Sequence, residues 1–148
     1  MLIQVKTYQE LTREDLYELL RLRTEVFVVE QDCVYQDIDN KDQKAIHVIG
    51  TKENQIVAYT RVFKSGDYFD NPSIGRVVVD KSNRKHGYGK DIMLASIEAI
   101  ENLFGKNNIE LSAQVYLKNF YNDLNFKEKG EEYLEDGIPH IRMIRPAN

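Results

Sequence analysis

Residues 82–91, "SNRKHGYGKD", gather Arg84, Lys85, His86 and Lys90 around two glycines, Gly87 and Gly89. That mixture suits an anion. Glycines let backbone N–H groups come close to a ligand with no side chain in the way, and cationic side chains add charge-assisted hydrogen bonds. His86 joins them when it is protonated. Before the loop, "IGRVVVD" (74–80) reads as a β-branched strand. After it, "DIMLASIEAIENLFG" (91–105) puts Ile92, Met93, Ile97, Ile100 and Phe104 on one helical face, with Gly105 as a C-cap. A helix beginning near Gly89 aims its positive dipole end at the same spot. The spacing is neither GxxxxGK[ST] nor GxGxxG, so the nucleotide and dinucleotide fingerprints are both excluded. Taken alone, such a loop is equally a helix-start turn with solvated charges; its setting favours the anion.

The elements that must position this loop follow from periodicity. Residues 2–8 alternate apolar and polar, which predicts a strand. Thr12 offers an N-cap with Asp15 three residues on. Leu16, Leu19, Leu20, Val26 and Phe27 keep helical spacing, so a helix is expected from about residue 12 towards residue 29. "EQDCVYQDIDNKDQK" (30–44) is polar, acidic and aperiodic, which predicts an ordered or semi-ordered loop. "AIHVIG" and "QIVAYTRVF" form a hairpin around "TKEN", and "KSGDYFDNPS" breaks the chain before the next strand. "IELSAQ" reads as a strand, "LKNFYNDL" as a short helix, and "FKEKGEEYLEDGIPHIRMIR" as a hairpin turning at "EDGIP". A mixed sheet with helices on its faces accommodates this order.

Length and composition bound the reading. The 148 residues are expected to form one domain, residues 1–148. Hydrophobic residues at 42% and charged residues at 30% suit a soluble globular chain. The formal net charge of −4 supplies no global field for nucleic acid or an anionic membrane. Cys33 is the single cysteine, which excludes an internal disulfide and suits a reducing compartment. No apolar run is long enough to span a bilayer and the start lacks a secretion signal, so a cytoplasmic protein is expected, with neither nucleic acid nor membrane as partner.

Arg84-Lys85-His86-Gly87-Tyr88-Gly89 has the form [QR]-x-x-G-x-[GA], placed directly after a Val-rich strand and before an amphipathic helix. It resembles the acyl-CoA pyrophosphate loop of the GNAT N-acetyltransferases. "NFYNDLNF" (119–126) resembles the family's fourth helix and following strand, where a tyrosine precedes a Gly-Phe pair; here they are Tyr121 and Asn125-Phe126. Asn replaces Gly, and Asn also visits positive φ. Gln114 stands where many members carry Asn. "LLRLRTEVFVVEQDCVYQDID" (19–39) and "EDGIPHIRM" (135–143) resemble the ElaA-like branch, so the likeness spans nearly the whole chain.

The resemblance implies an α/β (α+β) fold: a GNAT-type central mixed, mostly antiparallel sheet of about six or seven strands with about four helices. That sheet is splayed between its fourth strand, "GRVVV", and its fifth, "IELSA". It implies acetyl-CoA as cosubstrate, no metal, and direct attack of an amine on the thioester in a ternary complex. The backbone of Val77, Val78 and Val79 would pair with the pantetheine arm, and one N–H of that run would polarise the thioester carbonyl. Arg84, Lys85, His86, Gly87, Tyr88, Gly89 and Lys90 would hold the pyrophosphate, with Asn119 as a further cofactor contact. Tyr121 would protonate the departing thiolate; its other reading is a tyrosine packed on its helix.

The attacking amine needs a base or a water relay. Glu30, His47 and His140 are the candidates, with Glu30 ranked first. Arg23 and Arg76 either orient a carboxylate of the acceptor or pair with nearby acids, and the pairing is preferred. Asp32, Asp37, Asp39 and Asp42 either attract a cationic amine or are solvated loop charges, and the latter is preferred. Cys33 has no neighbour that makes a nucleophile–base pair.

The expected function is N-acetyl transfer from acetyl-CoA to a primary amine of a small molecule or peptide. The alternative is a non-catalytic acyl-CoA-binding or sensing module. A third reading, a relative of the acyl-homoserine-lactone synthases, draws on "LRTEVFV" (22–28). Monomer and homodimer both stay open, as does the use of acyl groups other than acetyl.

Overall fold

The structure, a computed structural model, describes residues 1–147. Its elements are β1 (Leu2–Thr7), α1 (Arg13–Arg23), β2 (Ile46–Lys52), β3 (Gln55–Phe63), β4 (Ser73–Val79), α2 (Tyr88–Phe104), β5 (Ile109–Gln114), α3 (Lys118–Asn122), β6 (Lys127–Glu135) and β7 (Ile138–Arg145). Thr12 and Asp15 make the capping box their spacing predicts. The Thr12 hydroxyl accepts from the Asp15 amide at 3.0 Å, and the Thr12 amide donates to the Asp15 carboxylate at 3.1 Å. Gly105 ends α2 at φ +83°, a conformation that glycine adopts without strain.

The first helix departs from expectation. Regular α geometry stops at Arg23, and Thr24–Glu30 continues as a π-helix. The Thr24 hydroxyl donates to the Leu20 carbonyl at 2.9 Å, the kind of insertion into the helical ladder that accompanies a change of pitch. Three α-helices and this π segment match the expected helix count of about four.

Among the described residues seven strands form one sheet in the order β1-β2-β3-β4-β5-β7-β6. All pairings are antiparallel except β4 with β5. That parallel pair is registered at one place, Ser73 opposite Glu110, beside a bond from the Glu110 amide to the Pro72 carbonyl at 2.9 Å. Past that point β4 and β5 part, and the β5-facing edge of β4 makes no ladder with its neighbour. Against β3, Arg61 opposes Gly75 and Tyr59 opposes Val78, so Arg76 and Val77 together face Thr60 alone. This is a β-bulge, which bends a strand and raises its twist.

The sheet buries a different core on each face. On one, α2 packs Ile92, Met93, Ile97 and Ile100 against Val48, Val62, Ile74, Leu111 and Met143. On the other, α1 and the π segment pack Leu19, Leu22, Val26 and Phe27 against Ile49, Tyr59 and Val78. The splayed strands are thus held by packing on both faces.

Candidate active site

The anion loop has the geometry its residues suggest. Gly87, the N-cap of α2, sits at φ +78°, and Lys85 just before it at φ +71°. The first intrahelical bond runs from the Asp91 amide to the Gly87 carbonyl at 3.0 Å. The amides of Tyr88, Gly89 and Lys90 therefore stand at an open helix start, where anions bind. A Cβ on Gly89 would lie 3.5 Å from Phe120 Cζ and 3.9 Å from Val79 Cγ2, ordinary contacts. Packing alone does not demand glycine there. Lys85, His86 and Lys90 are exposed around them, and Tyr88 is half-buried, its ring within 5.9 Å of Lys52 Nζ.

Glu30 belongs to this end of the molecule. Both its oxygens accept from Arg84, at 2.6 and 2.8 Å, while Arg84 Nε donates to the Val79 carbonyl at 3.1 Å. The Arg84 hydrogen bonds hold the Glu30 carboxyl below its ordinary range. A carboxylate so engaged is a poor proton acceptor, and Glu30 is absent from the lining of the cleft described next. The first-ranked base therefore does not fit its surroundings.

The cleft opens where β4 and β5 part. Gly75, Arg76 and Val77 line it from β4, Leu111, Ser112 and Gln114 from β5, and Tyr121 from α3. Gln31, Cys33 and Tyr35 come from the loop after the π segment; Glu135, Asp136, Ile138 and His140 come from the last hairpin. Tyr121 is 5% exposed, and burial pushes its phenol up. Asn125 at φ +70° ends its helical turn, as the Asn-for-Gly exchange allows. Phe126 then donates its amide to the Tyr121 carbonyl at 3.1 Å and sets its ring edge-on to the tyrosine, 6.2 Å between centroids. Asn119 is exposed on the same short helix.

The two histidines differ. His47 is fully buried and does not line the cleft. Its Nε2–H donates to the Asp42 carbonyl at 2.9 Å, its Nδ1 accepts from the Tyr59 hydroxyl at 2.7 Å, and burial lowers its pKa. Both nitrogens are committed, so His47 is structural. His140 does line the cleft. Its Nδ1–H donates to the Ile138 carbonyl at 2.7 Å, which leaves Nε2 3.3 Å from Glu135 Oε2. Its ring stacks on Tyr133, whose hydroxyl meets Ser112.

The acidic run is not a solvated patch. Asp37 and Asp42 are 5% exposed each and Asp39 is half-buried; Asp32 alone of the four is exposed. Asp37 pairs with Arg23 and Arg76, Asp42 with Arg23 and Arg61, and Asp39 with Arg61, at 2.7 to 3.0 Å. Arg23 and Arg76 thus pair with acids, the preferred of their two readings, while the solvated reading of Asp37 and Asp42 is overturned. Arg61, Glu135, Gln31 and Tyr35 were not singled out by sequence. An arginine inside the apolar run "QIVAYTRVF" was the one available signal, since a buried charge demands a partner. Cys33 donates its thiol to the Asp136 carbonyl at 3.3 Å, which activates no nucleophile.

A mixed sheet splayed between two parallel strands, above a glycine loop that opens a helix, defines the class of GNAT-type acyltransferase folds. A family described as "Acetyltransferase (GNAT) domain" matches residues 5–145. Protein ElaA of Escherichia coli (strain K12) is 42% identical over 140 residues, covering 93% of this chain and 92% of ElaA. The crystal structure of Escherichia coli ElaA matches with a TM-score of 0.92 at 39% identity, over 98% of this chain and 99% of that one. An acyl-CoA N-acyltransferase from Pseudomonas aeruginosa gives the same TM-score, identity and coverage. The chain belongs to the GNAT acetyltransferase family. The AHL synthase LasI shares the fold, with a TM-score of 0.81 over 99% of this chain and 90% of LasI, but at 12% identity that likeness is of fold alone. Among the described residues, no group of three or more His, Cys, Asp or Glu could hold a metal ion, and no helix is long and apolar enough to cross a membrane.

Proposed function

We propose that the protein is a cytoplasmic N-acetyltransferase that moves acetyl from acetyl-CoA to a primary amine of a small molecule or peptide. The cosubstrate supplies the acetyl group as a thioester. The open amides of Tyr88, Gly89 and Lys90, with the side chains of Lys85, His86 and Lys90, hold its pyrophosphate. Arg84 supports the loop through Glu30 and has N–H donors left over for the same anion. The unladdered edge of β4 at Val77, Val78 and Val79 offers N–H and C=O groups to the pantetheine arm, and Asn119 adds a contact from α3. The Tyr121 phenol is protonated at neutral pH, and although burial raises its pKa and makes it a weaker acid than a free tyrosine, it is the hydroxyl in the cleft that donates as the sulfur gains full charge.

In this reading the base moves from Glu30 to His140. Its Nδ1–H is spent on a backbone carbonyl, so Nε2 takes the proton of the incoming amine, with Glu135 beside it to steady the imidazolium. The observation that carries the proposal is that Tyr121, His140 and the bulged stretch of β4 all line one cleft. Its test is thiol release from acetyl-CoA across a panel of amines. Tyr121→Phe should lower kcat about a hundredfold while leaving the KM for acetyl-CoA nearly unchanged. Undiminished turnover would remove Tyr121 from the chemistry. Tight acetyl-CoA binding with no turnover of any amine would favour the sensing module.

A further inference from the structure

Arg76 stands at φ +48° in the β4 bulge. That left-handed conformation is costly for a residue with a Cβ and persists only where the surroundings enforce it. The side chain shows how. Arg76 Nε donates to Asp37 Oδ1 at 2.7 Å and Nη2 to the Asp37 carbonyl at 3.0 Å. Asp37 is itself gripped from behind. Arg23, fully buried on α1, donates Nε to Asp37 Oδ2 at 2.7 Å and Nη2 to its carbonyl at 3.2 Å, and the Tyr35 hydroxyl donates to Oδ1 at 3.0 Å. A chain of charge-assisted bonds thus runs from the first helix through Asp37 to the one strained residue of β4. It arrives at the bulge, on the stretch of strand that lies beyond the single β4–β5 register point.

We propose that Asp37 is a positioning residue: through Arg76 it clamps the β4 bulge in its left-handed turn and so holds residues 77–79 as an open edge for the acyl-CoA arm. This rests on reading that edge as the cofactor-binding strand. The competing account is that Asp37 merely neutralises buried arginine. Arg23, Arg61 and Arg76 face Asp37, Asp39 and Asp42, three charges against three. Replacing Asp37 by Asn leaves one positive charge in excess, and replacing Arg76 as well restores the balance whatever uncharged residue takes its place. Glycine and alanine then differ in one respect: glycine adopts φ +48° without strain and alanine does not.

The experiment compares wild type, Asp37→Asn, and Asp37→Asn combined with either Arg76→Gly or Arg76→Ala. The readouts are the Kd for CoA, the KM for acetyl-CoA, hydrogen exchange of the amides of residues 75–79, and the thermal midpoint. Asp37→Asn should weaken CoA binding about tenfold and speed exchange in that stretch, an effect of the size left-handed strain carries. The glycine combination should bring both back to within about threefold of wild type, and the alanine combination should not. Should Asp37→Asn alone fail to fold, the two charge-balanced combinations still carry the comparison. A glycine combination no better than the alanine one overturns the clamp, as does Asp37→Asn with wild-type affinity and exchange. If wild type binds no CoA, the reading of the cleft falls instead, while exchange at residues 75–79 still decides the clamp.

Discussion

Two imidazoles show what surroundings do to one chemistry. His47 spends both nitrogens on protein partners in a dry core, whereas His140 spends one on a backbone carbonyl and turns the other towards Glu135 at the wall of the cleft. Burial holds His47 neutral, so its folded pKa lies below the ordinary 6.5. The unfolded chain therefore binds the extra proton, and this contribution to stability, complete above that value, fades as pH falls through it. Asp39 follows the same sign at lower pH. Burial alone would raise its carboxyl, but the hydrogen bonds and charge of Arg61, with the charge of Arg76, outweigh it and bring the pKa down to about 2. Unfolded, it returns to about 3.9. Its stabilisation is thus complete above about pH 4 and is lost as pH drops towards 2, an effect of at most about 2.6 kcal/mol. Urea unfolding of Asp39→Asn at a series of pH values should show that much less acid sensitivity than wild type; superimposable profiles would refute the assignment.

At the scale of elements, the loop and helix at the proposed cofactor end separate two duties of glycine. Gly87 serves the backbone, because its φ of +78° is adopted freely by glycine and strains most residues that carry a Cβ. In the proposed reading Gly89 serves the ligand instead: its φ is not positive and a Cβ there would make only ordinary contacts with Phe120 and Val79, so nothing in the fold demands glycine. Gly87→Ala should cost about 1–2 kcal/mol of stability. Gly89→Ala should leave the thermal midpoint nearly unchanged and, on the proposed reading of the amides at 88–90, raise the KM for acetyl-CoA about threefold or more, read from initial rates. The opposite pattern would exchange the two roles. This end was legible in sequence because cap, turn and amphipathic face are local patterns. The first helix was less so: apolar spacing from Leu16 to Phe27 cannot distinguish an α-helix from one that widens at Thr24, since both bury the same side chains.

Across the whole molecule, the groove exists only when β4, β5, α2 and α3 are brought together, so CoA, if it occupies that groove as proposed, cannot bind the unfolded chain. Linkage then requires that CoA at a hundred times its Kd raise the unfolding free energy by about 2.7 kcal/mol, measurable by denaturant titration. An unchanged midpoint at that concentration would mean that no such groove binds it.

What the amino-acid order determined by itself rests on near neighbours: the capping box at Thr12, the glycine-opened helix after a β-branched strand, and Tyr121 ahead of an Asn-Phe pair that tolerates positive φ. Only the tertiary structure decided which charges meet. Glu30 went to Arg84, 54 positions away, the acids at 37 and 42 were buried against three arginines, and Glu135 came to His140 across a hairpin turn. Periodicity is written along the chain, but the partner of a charge is chosen by distance in space and by the cost of leaving it unpaired once water is excluded.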